Sequence, residues 1–332
     1  MTSRERVLRA LEFRTPDRVP RDIWALPAVS LYQKADYEEL VARFPMDIAM
    51  PCATPGTTAM GADFTQVGQY TDEWGSVWAI AEAGVVGEVV RPALDDWSKL
   101  ATCLPPWSLI RQRDRDAVNR QCAANDRFML SSCMSRPFER MQFLRGSAQL
   151  FMDLAYGDAE VFKLRDLVHG FNLQDIAWWC QTDVDGVMFM DDWGTQEALL
   201  ISPKLWREFY KPLYRDYCQL IHQAGKKAFF HSDGHIMAIY PDLIEVGVDA
   251  VNSQLFCMDI EDIGRQFKGQ ITFWGEMDRQ RLLPFGTPDE VCAGVQRVRN
   301  ALDDGKGGLI AQCEWGKHNP AQNFHALYEA WQ

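Results

Sequence analysis

The 332-residue sequence lacks the features that mark several protein classes. No apolar run approaches the ~18 residues of a membrane-spanning helix. The opening Met1-Thr-Ser-Arg-Glu-Arg-Val has no apolar core of a secretion signal, so a cytoplasmic location is expected. Nothing resembles a basic stripe: 34 Lys and Arg face 46 Asp and Glu, a formal charge of −12. Phosphate backbones demand clustered cations, which excludes nucleic acid as a partner. The nine cysteines form no Cys-x-x-Cys pair and are odd in number, which favours reduced thiols over a disulfide framework. Gly-x-Gly-x-x-Gly after a strand and Gly-x-x-x-x-Gly-Lys are both missing, which removes support for the usual nucleotide-binding open sheets.

What remains is globular, with 47% apolar, 12% aromatic and 24% charged residues. Thr2-Ser-Arg-Glu5 predicts a capped first helix, broken by Thr15-Pro-Asp-Arg-Val-Pro20. Tyr70 to Pro92 alternates apolar and polar positions around Glu82-Ala-Gly84, the pattern of an antiparallel hairpin. From Asp126 onward, short apolar runs alternate with helical patterns. The runs are Phe128–Ser132, Gly186–Met190, Ala228–His231, Asp249–Asn252, Ile271–Trp274 and Leu309–Gln312. Asp158, Ser202-Pro203 and Thr287-Pro-Asp-Glu290 are expected to cap the helices between them, with Gly225 ending one. Alternation of this kind implies a parallel sheet. The expected fold is α/β, a TIM-type (β/α)8 barrel forming one domain over 1–332. Residues 1–125 would supply an N-terminal helical and hairpin extension, and 126–332 the regular βα units.

Chemistry in such a barrel sits just past the C-terminal strand ends. Polar residues gather at four of them: Asp191-Asp-Trp-Gly-Thr-Gln196, His231-Ser-Asp-Gly-His235, Trp274-Gly-Glu-Met-Asp278 and Cys313-Glu-Trp-Gly316. His231 and Asp233, two apart on an extended strand, point the same way. Together with Cys313 they are candidate ligands for a borderline ion such as zinc; the alternative is a hydrogen-bonded polar strand end with a core thiol. Asp191, Asp192 and Glu276 are candidates for proton transfer or substrate positioning, and Glu276 also for a further metal ligand, although each is equally readable as a cap or an ion-pair partner. Glu276 has Arg279 and Arg281 close by for that purpose. Trp193, Trp274 and Trp315 are candidates for a wall against a planar ligand, with Gln196 and Asn252 as further substrate contacts. The other histidines lack comparable surroundings and read as surface or helix residues.

The same segments resemble the uroporphyrinogen decarboxylase superfamily, which includes cobamide-dependent methyltransferases. The resemblance runs through Arg4-Glu-Arg-Val-Leu, Pro16-Asp-Arg-Val-Pro, Arg43-Phe-Pro-Met-Asp47, Ser135-Arg-Pro-Phe-Glu139, Asp192-Trp-Gly-Thr-Gln, His231-Ser-Asp-Gly, Gly275-Glu-Met-Asp and Gln312-Cys-Glu. It implies a TIM-type barrel. Where the decarboxylases carry an arginine motif, a catalytic aspartate and a tyrosine, this chain has Ile23-Trp-Ala-Leu-Pro, Thr54 and Phe143. The resemblance is therefore to the methyltransferase branch, whose zinc site is a His-x-Cys strand end plus a later Cys. His231 and Cys313 match that pattern, and Asp233 stands in for the first Cys. The implied activity is methyl transfer from a small methylated donor, methoxy-aromatic compounds among the candidates, to a corrinoid protein, in a chain that can form homodimers. Two alternatives remain: a metal-free decarboxylase of a non-porphyrin acid, and a non-catalytic corrinoid- or tetrapyrrole-binding protein.

Overall fold

A computed structural model describes residues 1–54, 64–132 and 135–332. Its strands are β1 (Arg21–Ala25), β2 (Ile48–Ala49), β3 (Gly68–Thr71), β4 (Val77–Ile80), β5 (Glu88–Arg91), β6 (Phe128–Met129), β7 (Gly186–Met190), β8 (Lys227–Ser232), β9 (Ala250–Ser253), β10 (Thr272–Trp274) and β11 (Leu309–Trp315). Six form a parallel sheet in the order β1-β11-β10-β9-β8-β7, curled into a half-barrel. A parallel pair, β2-β6, stands beside it. Leu130 bridges in parallel to Gly186 at the β7 side, and the Asp47 amide donates to the Arg21 carbonyl at 2.8 Å on the β1 side.

Strand alternation divides the core in two. Side chains on the concave face form one cluster: Ile48, Phe128, Leu130, Met188, Phe229, Ala250, Trp274 and Ile310, closed below by Val7 and Leu11 of the first helix. Those on the convex face join a larger cluster with the surrounding helices. The caps form as the sequence predicts at Thr2, at Ser202 and at Thr287, where a reciprocal capping box with Glu290 precedes Pro288–Leu302. Asp158 occupies the N-cap position of Ala159–Cys180, but its side chain makes no capping bond. The expected hairpin is one half of a three-stranded antiparallel sheet, β3-β4-β5. Among the described residues, no helix is long and apolar enough to cross a membrane.

At the N-terminal end of the sheet, the Asp47 carboxylate is fully buried and saturated with donors. It accepts from Arg6 Nη1 at 2.6 Å, Arg18 Nη1 at 2.7 Å, Arg18 Nη2 at 3.0 Å and the Arg21 amide at 2.8 Å. Three of the segments that carry the family resemblance meet here, so their work at this end is architectural.

Candidate active site at the strand ends

β8 and β7 run side by side with Met190 level with His231, and β9 places Asn252 level with His231 on the other side. The concave-facing positions continue upward from Met188 to Met190 and Asp192, and from Phe229 to His231 and Asp233. His231 Nε2 lies 3.5 Å from Asp192 Oδ1 and 3.6 Å from Asp233 Oδ1. All three donor atoms fall within 4.8 Å of one another. The Asp233 amide also donates to Asp192 Oδ1 at 3.0 Å, which ties the two strand ends together.

His231 is oriented from behind. Its Nδ1 lies 2.6 Å from Asn252 Oδ1, while Asn252 Nδ2 donates to the Trp274 carbonyl at 2.5 Å and to Gln312 Oε1 at 2.8 Å. With both amide hydrogens used on carbonyls, Asn252 can only accept from the imidazole. Nδ1 therefore carries a hydrogen, and Nε2 faces the carboxylates. Burial lowers the affinity of His231 for a proton, but the flanking Asp192 and Asp233 outweigh it and hold the imidazole up to about 9. Burial likewise opposes the Asp192 charge, but its contacts with His231 and with the Asp233 amide bring that acid down to about 2.

A second network borders the first. The Arg279 guanidinium donates to Asp233 Oδ2 and, at 2.5 Å, to Glu314 Oε1, and its Nε lies 3.5 Å from Glu276 Oε2. Burial pushes the Glu276 carboxyl up to about 8, despite the Arg279 charge beside it. Glu276 also lines a cavity of about 120 Å3 with Gln196, Gln254, Cys257 and Arg281, where Gln196 Nε2 donates to Gln254 Oε1 at 2.9 Å. Trp274 lies on the concave face, where its indole donates to Asp22 Oδ2 at 2.8 Å. Burial raises Asp22 to about 6, with that indole hydrogen bond opposing the rise.

Four of the residues singled out in the sequence point elsewhere. Cys313 pairs with Ile23 in mid-strand, on the convex face, where its sulfur lies 3.4 Å from the Tyr328 hydroxyl. The zinc set with Cys313 therefore does not assemble; the group that does form uses Asp192 in its place. Trp315 shares that convex side and stacks on Phe324 at 4.1 Å. Trp193 stacks on Phe138 at 4.2 Å, and its indole donates to the Tyr214 hydroxyl at 2.7 Å. Asp191 is turned the same way. Its carboxylate accepts from the amides of Phe138 and Glu139 at 3.0 and 2.9 Å and from the Tyr214 hydroxyl at 2.6 Å. Of the three tryptophans only Trp274 borders the site, so the three-ring wall is not built.

The structure adds residues that the sequence reading passed over. Trp24, next to Asp22 on the concave side of β1, tilts over His231 with ring centres 5.0 Å apart and meets Trp274 edge-on at 5.2 Å. The Asp22-x-Trp24 spacing was the available signal. Glu139, in the first turn of Pro137–Arg145, is buried, and its carboxyl feels the charges of Asp192, His231 and Asp233.

Asp192, His231 and Asp233 suit a divalent ion. Tetrahedral ligands about 2.1 Å from an ion stand roughly 3.4 Å apart, close to the separation of His231 Nε2 from both carboxylates. Among the described residues Asp233 Oδ1 is buried without a hydrogen-bond partner, and a cation at that point would satisfy it. One imidazole and two carboxylates form a harder set than one with thiolates, suited to zinc or a neighbouring first-row ion.

Residues 90–332 match the family model described as Uroporphyrinogen decarboxylase (URO-D). The chain belongs to that family. Among solved structures, a methyltransferase from Methanosarcina mazei is similar across the whole molecule, with a TM-score of 0.74 over 100% of this chain and 98% of that one. At 15% identity, this likeness speaks for the fold alone. An endo-beta-1,4-xylanase of glycoside hydrolase family 10 from Gloeophyllum trabeum has a TM-score of 0.47 at 11% identity over 98% of both chains, too slight to bear on the chemistry. No curated protein matches the sequence.

Proposed function

We propose that this member of the uroporphyrinogen decarboxylase family is a methyltransferase. It would take a methyl group from a small methylated donor, a methoxy-aromatic compound among the candidates, and pass it to a corrinoid protein. The observation that carries this reading is the Asp192–His231–Asp233 group at the strand ends, with Asp233 Oδ1 lacking a hydrogen-bond partner among the described residues. The sheet belongs to the same proposal: eight parallel strands, joined through Leu130–Gly186 and Asp47–Arg21, close one TIM-type barrel over residues 1–332, and its mouth is the site.

Asp192, His231 and Asp233 would hold the ion, most simply zinc, whose contribution is Lewis acidity toward the oxygen that gives up its methyl group. The corrinoid of the partner protein would supply the methyl acceptor. The chain's own residues do the rest. Asn252 fixes the imidazole with Nε2 turned to the site. Arg279 braces Asp233 against Glu314 and Glu276. Trp24 and Trp274 border the site with aromatic edges, and Gln196 and Glu276 line the adjoining cavity, where the rest of the donor would lie.

Two measurements test this. Metal analysis of the purified protein is expected to find about one divalent ion per chain, lost in His231→Ala. Mixing with a reduced corrinoid protein and a donor panel is expected to change the corrinoid spectrum with at least one methylated compound. If no methoxy, methylamine or methylthiol donor produces that change, the transferase reading is wrong. An active metal-free protein that releases CO2 from a carboxylic acid would establish the decarboxylase instead.

A further inference from the structure

Breaking a methyl–oxygen bond leaves an electron pair on the oxygen, and an alkoxide or phenoxide departs more readily if it is protonated as it leaves. Asp191 cannot supply that proton, because two amides and the Tyr214 hydroxyl fill its carboxylate on the convex side. Asp192 is committed to the triad. Two other buried carboxyls border the mouth, and each leaves one oxygen without a hydrogen-bond partner among the described residues: Glu139 Oε2 and Glu276 Oε1.

Their surroundings separate them. Glu276 joins Asp233 and Glu314 around the Arg279 guanidinium and opens onto the small cavity with Gln196 and Gln254. Glu139 approaches from the opposite side of the triad's strands, beyond β7. Asp191 pins the first turn of its helix by accepting from the Glu139 amide itself, so the end of β7 fixes where this side chain starts. Arg136, one turn back, lies 3.5 Å from Glu139 Oε1 and donates to the sulfur of concave-facing Met190 at 3.0 Å. The other oxygen, buried and unpartnered, belongs to a carboxyl that feels all three triad members.

We infer that Glu139 is the acid that protonates the oxygen from which the methyl group is removed. This rests on the proposed methyl transfer from an ether. The methyl–oxygen bond breaks, the methyl carbon passes to the reduced corrinoid, and the bonding pair stays on oxygen. That oxygen takes the Glu139 proton and departs as an alcohol or phenol. Glu139 is left as a carboxylate, stabilised by Arg136, and regains its proton from water. Burial raises the Glu139 carboxyl to about 7, against the pull of Arg136 and with the push of Asp192. The charged groups around it are Arg136 and Arg140 on its own segment, Asp191 and Asp192 at the end of β7, and His231 and Asp233 at the end of β8.

The experiment compares methyl transfer from a series of substituted methoxybenzenes in wild type, Glu139→Gln, Glu139→Asp and Glu276→Gln, with metal content measured for each. Expected for Glu139→Gln is a loss of ~100-fold with electron-rich ethers, whose leaving oxygens need the proton most. The loss should shrink to a few-fold with nitro-substituted ethers, with metal content unchanged. Glu139→Asp should recover part of the activity and the flatter dependence on the leaving group. Glu276→Gln should lower all donors alike. An equal loss across the series in Glu139→Gln, no loss at all, or the selective loss appearing in Glu276→Gln overturns the assignment while methyl transfer stands. A wild-type protein that demethylates no ether removes the proton-donor role, and failure with every donor class removes the function as well. If Glu139→Gln does not fold, Glu139→Asp decides: a rate loss that ignores the leaving group rules the acid out.

Discussion

Buried charge is handled in opposite ways at the two ends of this sheet. At the lower end, Asp47 is enclosed by Arg6, Arg18 and the Arg21 amide, and both its oxygens are filled. At the mouth, Asp233, Glu276 and Glu139 each keep one buried oxygen without a hydrogen-bond partner among the described residues, although arginines stand nearby. A network that closes on itself serves the fold. One that leaves acceptors open gives up stability and retains the capacity to bind, because an unmet buried acceptor costs about 1–3 kcal/mol until something satisfies it.

The sharpest way to break the comparison is Asp47→Ala. It takes the shared carboxylate from Arg18 and from Arg6, which keeps Asp17, and is expected to cost about 3 kcal/mol in denaturant unfolding. A loss below about 1 kcal/mol would show that the lower network is no more structural than the mouth. A pH series on metal-free protein probes the other side. His231, held up to about 9 from its ordinary 6.5, contributes stability that is complete below about pH 6.5 and disappears as pH rises through 9. Glu139 and Glu276, raised to about 7 and about 8, push the same way, since ionising them in place is unfavourable. The thermal midpoint of metal-free protein should therefore fall by roughly 2–4 °C between pH 6.5 and 9. His231→Ala should flatten that slope, and a wild-type midpoint that holds or rises would contradict the assignment. The smallest effect belongs to Cys313→Ala: about 1 kcal/mol from a trimmed core thiol, with metal content unchanged. Loss of metal in that variant would return the sulfur to the site.

Legibility of the sequence followed the strength of the local pattern. The strands after Asp126 announce themselves as apolar runs, and Gly186–Met190 matches β7 residue for residue. β1 escaped because Arg21-Asp-Ile-Trp-Ala alternates with charged residues at its start, and β2 because two residues carry no period. His231 and Asp233 could be paired because they share one strand end. Cys313 was misread by a matter of parity. The apolar run stops at Gln312 but the strand continues to Trp315, so Cys313 sits inside it facing the helices, while Gln312 and Glu314 face inward. The same alternation turns Asp191 and Trp193 away and leaves Asp192 in place. Glu139 stood in the sequence only as the end of the Ser135-Arg-Pro-Phe-Glu139 segment, since its place near the site depends on a helix start that Asp191 anchors from 52 residues away.

Trp24 and Asp22 carry a consequence for how relatives should be compared. The family model matches residues 90–332, which hold the whole triad, whereas the strand that leans an indole over His231 precedes that stretch. A family member that kept Asp192, His231 and Asp233 but replaced Trp24 would present a different wall beside the same imidazole. A comparison confined to the matched stretch would leave that wall out of account.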